Sequence, residues 1–332
     1  MDILNKICQL SAGLFLLVSS ICAEEIKQLD PQTEQLLEKL NTSFVPFRTV
    51  DVLELRKAQE LLPSLAPLPG IKKIETITIP NSTIKLRIYF PEHKEPFLPV
   101  FLFIHGGGWC LGSLNEYDWF CQEISKKGEC LVVSVDYRLA PEHPFPQPLE
   151  DCYLAAKWVQ KHIHEYGGIS KKIAIGGDSA GGNLTAATTL LARERKGPNF
   201  IYQVLICPAL NYNFETFSYS QFSEGYFLTT EDTKFFWNTY LQRPENGLNP
   251  YASPLQALRL SGLPNACIVT AHFDPIRDDG IDYANRLLEE GVVATIQSYN
   301  SIHGFYAYPE LDIASETVSF ISEQLKISFT SP

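Results

Sequence analysis

Residues 171–196, KKIAIGGDSAGGNLTAATTLLARERK, contain an apolar run, a glycine-rich turn and a helical pattern in succession. The turn GDSAG (177–181) matches the pattern GxSxG. A serine on so sharp a strand-to-helix turn needs very small neighbours, because a Cβ two residues away would clash. Such a turn raises the Ser179 hydroxyl above the sheet edge, close to a helix amino terminus that stabilises negative charge. We therefore predict a β–α unit that presents Ser179 for chemistry; a glycine-rich turn with a capping serine is the alternative.

Further strand and helix patterns alternate along the chain on both sides of this unit. Short, almost continuous apolar runs are typical of strands whose two faces are covered by helices. Their alternation with helices indicates right-handed crossovers and a largely parallel sheet. The first two strands alternate in polarity and predict an antiparallel hairpin. Strands are predicted at 74–80, 82–90, 98–105, 130–137, 171–177, 201–207, 266–271 and 292–299, and helices at 116–127, 148–165, 181–195, 276–290 and 312–326.

Two segments fall outside this alternation. Residues 24–70 are mostly helical in pattern, and residues 211–250 separate two strands by far more than the usual short loop. The second segment is rich in Phe, Tyr and Trp, which predicts a packed insertion. We therefore expect an α/β fold in which residues 71–332 form one eight-stranded, mostly parallel core flanked by helices. Residues 24–70 and 211–250 would form a helical cap over one end of the sheet.

The composition excludes several classes of protein. The chain has 332 residues, 45% of them hydrophobic and 20% charged, which is ordinary for a globular protein and excludes a disordered chain. The net charge is −11 and no basic stripe is visible, which argues against nucleic acid as a partner. The expected partners are small molecules or proteins, and a homodimer is left open.

The amino terminus resembles an export signal. Residues 7–18 are mostly apolar, follow Lys6 and precede small residues up to Ala23. This pattern predicts a cleaved signal peptide at 1–23 and a secreted or periplasmic protein. A stable membrane span is not expected, because the apolar run is shorter than about 20 residues. A membrane anchor formed by the same segment and a buried amphipathic helix are the alternatives.

Six cysteines follow this segment, and none has the spacing of a zinc site. We expect buried structural thiols, no bound metal and no cofactor. Secretion would also permit disulfides, and Cys121 and Cys130 are the nearest pair in sequence. The six are Cys110, Cys121, Cys130, Cys152, Cys207 and Cys267.

A second glycine-rich motif, HGGGW (105–109), directly follows the strand LPVFLFI (98–104). Three glycines allow the backbone to approach a ligand and turn its N–H groups toward it. Together with the N–H of Ala180, the N–H groups of Gly106, Gly107 and Gly108 are candidates for an oxyanion hole. A phosphate-binding loop would need Gly-Lys-Ser/Thr, and a dinucleotide fold would need GxGxxG. Both patterns are absent from the sequence.

A serine nucleophile needs a base and an orienting carboxylate, in the order Ser…Asp/Glu…His for this kind of turn. Asp274 and His303 each follow a predicted strand, so both lie at the carboxyl edge of the sheet, where ligands bind. Asp278 and Asp279 compete with Asp274, but the helix that contains them should turn them away. We therefore predict a Ser179–His303–Asp274 triad. Asp178 is excluded as the orienting carboxylate, because it adjoins the serine and cannot reach the far side of His303.

Five motifs together resemble the hormone-sensitive-lipase-like α/β-hydrolases, a group that includes microbial family IV esterases and arylacetamide deacetylases. They are HGGGW (105–109), YRLAPEHPFP (137–146), GDSAGGN (177–183), FDPIRDDG (273–280) and IHGF (302–305). The resemblance implies an α/β-hydrolase fold with a helical cap, the triad named above, and oxyanion donors on Gly107, Gly108 and Ala180, with Gly106 as a further candidate. We expect YRLAPEHPFP to be structural.

The expected activity is that of a serine carboxylesterase acting on small to medium acyl esters through an acyl-enzyme, without cofactor or metal. Hydrolysis of lipids, amides or lactones by the same triad is the main alternative. A dehydratase would favour threonine at position 179, and a non-catalytic small-molecule receptor related to this family would lack His303. Both are therefore disfavoured.

Overall fold

The structure is a computed structural model that describes residues 27–43 and 45–330. Its centre is one eight-stranded sheet with the strand order β1-β2-β4-β3-β5-β6-β7-β8. The strands are β1 (Ile71–Thr78), β2 (Lys85–Pro91), β3 (Leu98–Ile104), β4 (Leu131–Asp136), β5 (Gly168–Asp178), β6 (Tyr202–Ile206), β7 (Asn265–Phe273) and β8 (Ala294–Ile302). The helices are α1 (Pro31–Ser43), α2 (Val52–Glu60), α3 (Asp118–Gly128), α4 (Gln147–His162), α5 (Ala180–Glu194), α6 (Phe217–Gln221), α7 (Thr230–Leu241), α8 (Arg277–Glu289) and α9 (Asp312–Thr330).

The sheet confirms the predicted α/β class. Strand β2 runs antiparallel to both β1 and β4, and the other neighbouring strands pair in parallel. The predicted hairpin is therefore β1–β2, whereas the antiparallel pairing of β2 with β4 was not predicted. Parallel pairing brings the carboxyl ends of β3, β5, β7 and β8 to one edge of the sheet.

Helices cover both faces of the sheet, and the central strands alternate their side chains between two apolar clusters. Phe101 and Phe103 of β3 pack into one cluster with α3 and α9. Leu102 and Ile104 of the same strand pack into the other, with α4 and α5. Since both faces are buried, β3 is a continuous apolar run in the sequence. The six cysteines after residue 23 are all buried and unpaired, as predicted.

The amino-terminal segment and the insertion meet each other on the carboxyl side of the sheet. The ring of Phe47 lies 5.2 Å from that of Phe236 and 6.0 Å from that of Phe227, between ring centroids. The Arg48 backbone N–H donates to the Asp232 carboxylate at 3.1 Å. The two segments, separated by about 180 residues, thus form a joint apolar surface.

The predicted signal peptide at 1–23 lies outside the described residues, so secretion and anchoring remain predictions. Within residues 27–43 and 45–330, no helix has both the length and the apolar character needed to cross a bilayer.

A buried carboxylate ties the chain that follows α2 to the sheet. Asp118, the first residue of α3, accepts bonds at Oδ1 from Arg87 Nη1 at 2.8 Å and from the Tyr89 hydroxyl at 2.6 Å. Its Oδ2 accepts from the Ser64 hydroxyl at 3.0 Å and from the Leu65 N–H at 2.8 Å. Four donors compensate the desolvation of this carboxylate.

We expect Asp118→Ala to lower the free energy of unfolding by about 3–5 kcal/mol, because it leaves a nearly buried guanidinium without its partner. The Arg87 side chain is only 12% exposed. Urea denaturation followed by circular dichroism measures the change. Glu231→Ala removes an acid from an exposed ion pair with Lys234 and should leave the midpoint unchanged. Equal midpoints for the two variants would contradict the assigned role of Asp118.

Candidate active site

Ser179 lies on the sharp turn between β5 and α5 in a strained backbone conformation. Its φ is +52° and its ψ is −118°, a region that residues with a side chain rarely adopt. The turn is stabilised by the Ser179 N–H, which donates to the Ile206 carbonyl of the neighbouring strand at 2.7 Å. A Cβ on Gly177 would collide with the carbonyl oxygens of Ile104 and Gly181, which explains the small residue there. The geometry agrees with the turn predicted from GxSxG.

The three residues of the predicted triad are brought together by three different loops. His303 Nε2 lies 2.9 Å from Ser179 Oγ, and His303 Nδ1 lies 2.7 Å from Asp274 Oδ2. Because a carboxylate can only accept, Nδ1 carries the proton and Nε2 is left to accept from the serine hydroxyl. The other oxygen of Asp274 accepts from the Ile276 N–H at 3.0 Å, which fixes the carboxylate.

The environment of His303 favours a proton on the ring. Burial alone would lower its pKa, but the facing carboxylates of Asp274 and Asp178 raise the pKa above its usual 6.5. A histidine in this position is able to accept a proton from Ser179 and to hold it as an imidazolium facing Asp274.

Asp278 and Asp279, the alternatives to Asp274 as the orienting carboxylate, accept hydrogen bonds from other parts of the chain. Asp278 accepts from the Ser218 N–H at 2.8 Å and so attaches the insertion to α8. Asp279 is buried and accepts from the Leu210 N–H at 2.8 Å and the Asn211 N–H at 3.1 Å. The prediction that both lie away from His303 agrees with these contacts, although it did not foresee that they stabilise the loop after β6.

The HGGG loop follows β3, and its glycines differ in whether their N–H groups are bonded within the protein. The Gly106 N–H donates to Asp178 Oδ1 at 2.8 Å, so it is already bonded within the protein. Gly107, Gly108 and Ala180 line the pocket beside Ser179. Among the described residues no acceptor is recorded for their three N–H groups. Gly108 has a φ of +59°, and a Cβ there would overlap the Phe236 ring, so glycine is required at this position.

Part of YRLAPEHPFP supports the HGGG loop from behind. The Tyr137 hydroxyl donates to the His105 carbonyl at 2.8 Å, and the two rings stack at 4.3 Å. Arg138 pairs with Asp151 at 2.6 Å. His105 is fully buried, and this burial lowers its pKa. These contacts fit the structural role expected for the motif.

Asp178 is a site residue whose partners the sequence did not indicate. Besides the Gly106 N–H, it accepts from the Tyr117 hydroxyl at 2.9 Å and the Tyr306 hydroxyl at 3.0 Å. Burial raises the pKa of Asp178 to about 6, and these hydrogen bonds partly oppose the shift. The carboxylate therefore links the HGGG loop, the serine turn and the loop that carries His303.

These residues open into a pocket of about 320 Å³, toward the small end of the range for ligand sites. Its floor includes Ser179 and His303. Its upper wall comes from the amino-terminal segment and the insertion: Phe47, Gln59, Phe227, Leu228, Thr233, Phe236 and Trp237. Glu116 also lines the pocket, and neither it nor Gln59 carried a recognisable signal in the sequence.

Cys207 lies behind the triad, and its sulfur and the polar atoms of Asp274 and His303 are within 4.8 Å of one another. This grouping was not visible in the sequence spacing. Burial and the neighbouring Asp274 raise the pKa of the thiol well above its usual value, which disfavours the thiolate that a metal would require. The donor set therefore fits a hydrogen-bonded triad better than a metal site.

Comparison with known proteins agrees with the fold and the motifs. A family model described as the alpha/beta hydrolase fold matches residues 101–307, more than half of the chain. The carboxylic ester hydrolase LipN of Mycobacterium tuberculosis is 36% identical over 83% of this chain and 77% of its own length. An arylesterase of Saccharolobus solfataricus is 36% identical over 85% of this chain and 93% of its own length.

Solved structures give the same result. The crystal structure of a thermostable esterase from Pseudomonas putida superimposes with a TM-score of 0.85 at 33% identity. The match covers 92% of this chain and 98% of that one. The chain therefore belongs to the α/β-hydrolase family, in its hormone-sensitive-lipase-like group.

Proposed function

We propose that the protein is a serine carboxylesterase that hydrolyses small to medium acyl esters through an acyl-enzyme. The observation that carries the proposal is the position of His303, within hydrogen-bond distance of both Ser179 and Asp274 at the floor of a pocket. The esterase names of its relatives support the same class of reaction.

In the first step, Ser179 Oγ forms a bond to the ester carbonyl carbon while its proton passes to His303 Nε2. The oxyanion is held by the N–H groups of Gly107, Gly108 and Ala180, each worth about 3–4 kcal/mol in comparable sites. Gly106 is left out of this set, because its N–H is bonded to Asp178. The alcohol then leaves with the proton from His303.

In the second step, water attacks the acyl carbon and gives a proton to His303. His303 then returns this proton to Ser179 Oγ as the bond between Oγ and the acyl carbon breaks and the acid leaves. Asp274 holds the ring in one tautomer throughout. This sequence uses protein groups, ester and water alone.

A cap formed by residues 24–70 and 211–250 is part of this proposal. The contact between Phe47 and Phe236 supports it, because one ring comes from each segment and both line the pocket that contains Ser179. A pocket of this size favours short acyl chains over long lipid chains.

Ser179→Ala should lower kcat/KM for p-nitrophenyl butyrate at least about 10³-fold, because the nucleophile is lost. A fluorophosphonate probe should add its mass to the wild-type protein and not to this variant. Ser220→Ala, on the exposed side of α6, should keep wild-type activity and labelling. Full activity in Ser179→Ala would reject the mechanism.

The pH profile tests the coupling between Asp178 and His303. Only the neutral ring accepts the serine proton, so kcat/KM should fall as the pH drops through the pKa of His303, which lies above 6.5. Asp178→Asn removes a charge that raises this pKa, so the acidic limb should move to lower pH. The position of the limb is independent of any accompanying loss of kcat. Asp278→Asn, which removes a carboxylate that bonds to Ser218, should leave the limb in place. An unmoved limb in Asp178→Asn would contradict the coupling.

A p-nitrophenyl ester series tests the substrate class. For a pocket of about 320 Å³ we expect the highest kcat/KM with acyl chains of roughly four to eight carbons. A maximum beyond about ten carbons would instead identify a lipase-like preference.

A further inference from the structure

Glu116 brings a carboxylate into the pocket that the proposed mechanism does not use. It follows the HGGG loop and precedes α3, and it lines the same pocket as Ser179 and His303. The described lining residues include no Lys or Arg. A bound substrate therefore meets the negative potential of this carboxylate at a wall where the described lining offers neither an ammonium nor a guanidinium group.

Gln59 of α2 holds this carboxylate in place. Its Oε1 accepts from the Gly112 N–H at 3.1 Å, and its Nε2 donates to Glu116 Oε2 at 3.1 Å. The amide is thus fixed by the loop on one side and orients Glu116 on the other. In the described part of the chain no donor is recorded for Glu116 Oε1, which leaves this oxygen available to a ligand.

Asp178, the other non-triad carboxylate in the pocket lining, is already satisfied. It accepts from Gly106, Tyr117 and Tyr306, as described above. Glu116 is accessible from the pocket and has one protein donor among the described residues. Of these two carboxylates, Glu116 is therefore the one that can bind a substrate group.

The remaining wall of the pocket is largely aromatic. Phe47, Phe227, Phe236 and Tyr308 lie around the same space. Aromatic faces attract cations, and they also replace the hydration of alkylated ammonium groups better than polar walls do. A carboxylate within an aromatic wall is a suitable environment for an ammonium group and an unfavourable one for an anion.

We infer that Glu116, held by Gln59, binds a cationic group of the substrate, so that the enzyme prefers esters bearing an ammonium group to neutral esters of the same shape. This inference rests on the proposed ester hydrolysis and adds the substrate class to it. Glu116 is here a specificity-determining residue with no role in the bond-forming step.

The preference should depend on pH. Desolvation within the pocket and the charge of Asp178 raise the pKa of Glu116 above its usual 4.5, so its charge is present above the raised pKa and lost below it. The described titratable groups coupled to it are Asp178, Tyr117 and Tyr308. Burial raises the pKa of both tyrosines, so they stay neutral up to pH 8. Asp178 has a pKa of about 6, and His303, in the same pocket, has a pKa above 6.5. Both groups are present in the wild type and in the Glu116 variant, so their titration does not by itself distinguish the two proteins.

Acetylcholine and 3,3-dimethylbutyl acetate test this inference, because they differ mainly in the charge of one atom. Both are offered to the enzyme in one reaction, and the two alcohols released are quantified by NMR. The ratio of the two kcat/KM values does not depend on how much of the enzyme is folded. The ratio in Glu116→Gln contains the intrinsic difference in reactivity between the esters, so it is the reference for the wild type.

At pH 8 we expect the wild-type ratio to exceed that of Glu116→Gln about tenfold, since a carboxylate a few ångströms from an ammonium group is only partly screened. The excess should shrink as the pH is lowered through the raised pKa of Glu116, because the carboxylate is then protonated. Glu310→Gln removes an exposed carboxylate near Tyr308 and outside the pocket lining, and it should retain the wild-type ratio.

Equal ratios in wild type and Glu116→Gln at pH 8 would overturn the inference. In that case the neutral ester would still be hydrolysed. If neither ester is hydrolysed by the wild type, the proposed esterase function itself fails, and the two failures are thereby distinguished.

Discussion

The backbone of Ser179 is the constraint on which the site depends. A residue with φ of +52° and ψ of −118° is unfavourable by about 1–3 kcal/mol, and it persists only where its neighbours leave no alternative. Here those neighbours are the central strands and the first turn of α5. Gly177 gives the turn the space it needs, and the Ile206 carbonyl binds its N–H. The parallel sheet thus determines where the hydroxyl points, and the other groups are arranged around it.

Buried carboxylates hold in place loops that have no regular secondary structure. Asp178 links three loops, Asp274 orients His303, Asp279 holds the chain after β6, and Asp118 fastens residues 64–65. Each accepts at least two hydrogen bonds, at least one of them from a donor distant in sequence, which offsets the cost of its desolvation. In a chain with a net charge of −11, the acidic residues therefore include structural elements of the interior as well as surface charges.

The sequence was most informative where the physics is local. A sharp turn needs small residues, a buried strand needs an apolar run, and the order of serine, aspartate and histidine follows from that topology; all three are visible in the residues themselves. Tyr117 and Tyr306, which lie 61 and 128 residues from Asp178, meet it only through tertiary packing. Glu116 and Gln59 belong to different segments for the same reason. Asp278 was expected to turn away from the site, and it does. Its bond to Ser218 was not expected, because it depends on the path of the insertion, which no local sequence pattern indicates.

The two sides of the pocket have different origins in the chain. Ser179, Asp274 and His303 follow strands of one continuous sheet, whereas the opposite wall is formed by two remote segments that meet at Phe47 and Phe236. Substitutions at that meeting point change the shape and charge of the space without displacing any strand. In evolutionary terms, much of the pocket wall and the Ser179, Asp274 and His303 group are encoded in separable stretches of sequence. A lineage can therefore reshape the pocket through residues 47–59 and 227–237 while these three residues remain unchanged.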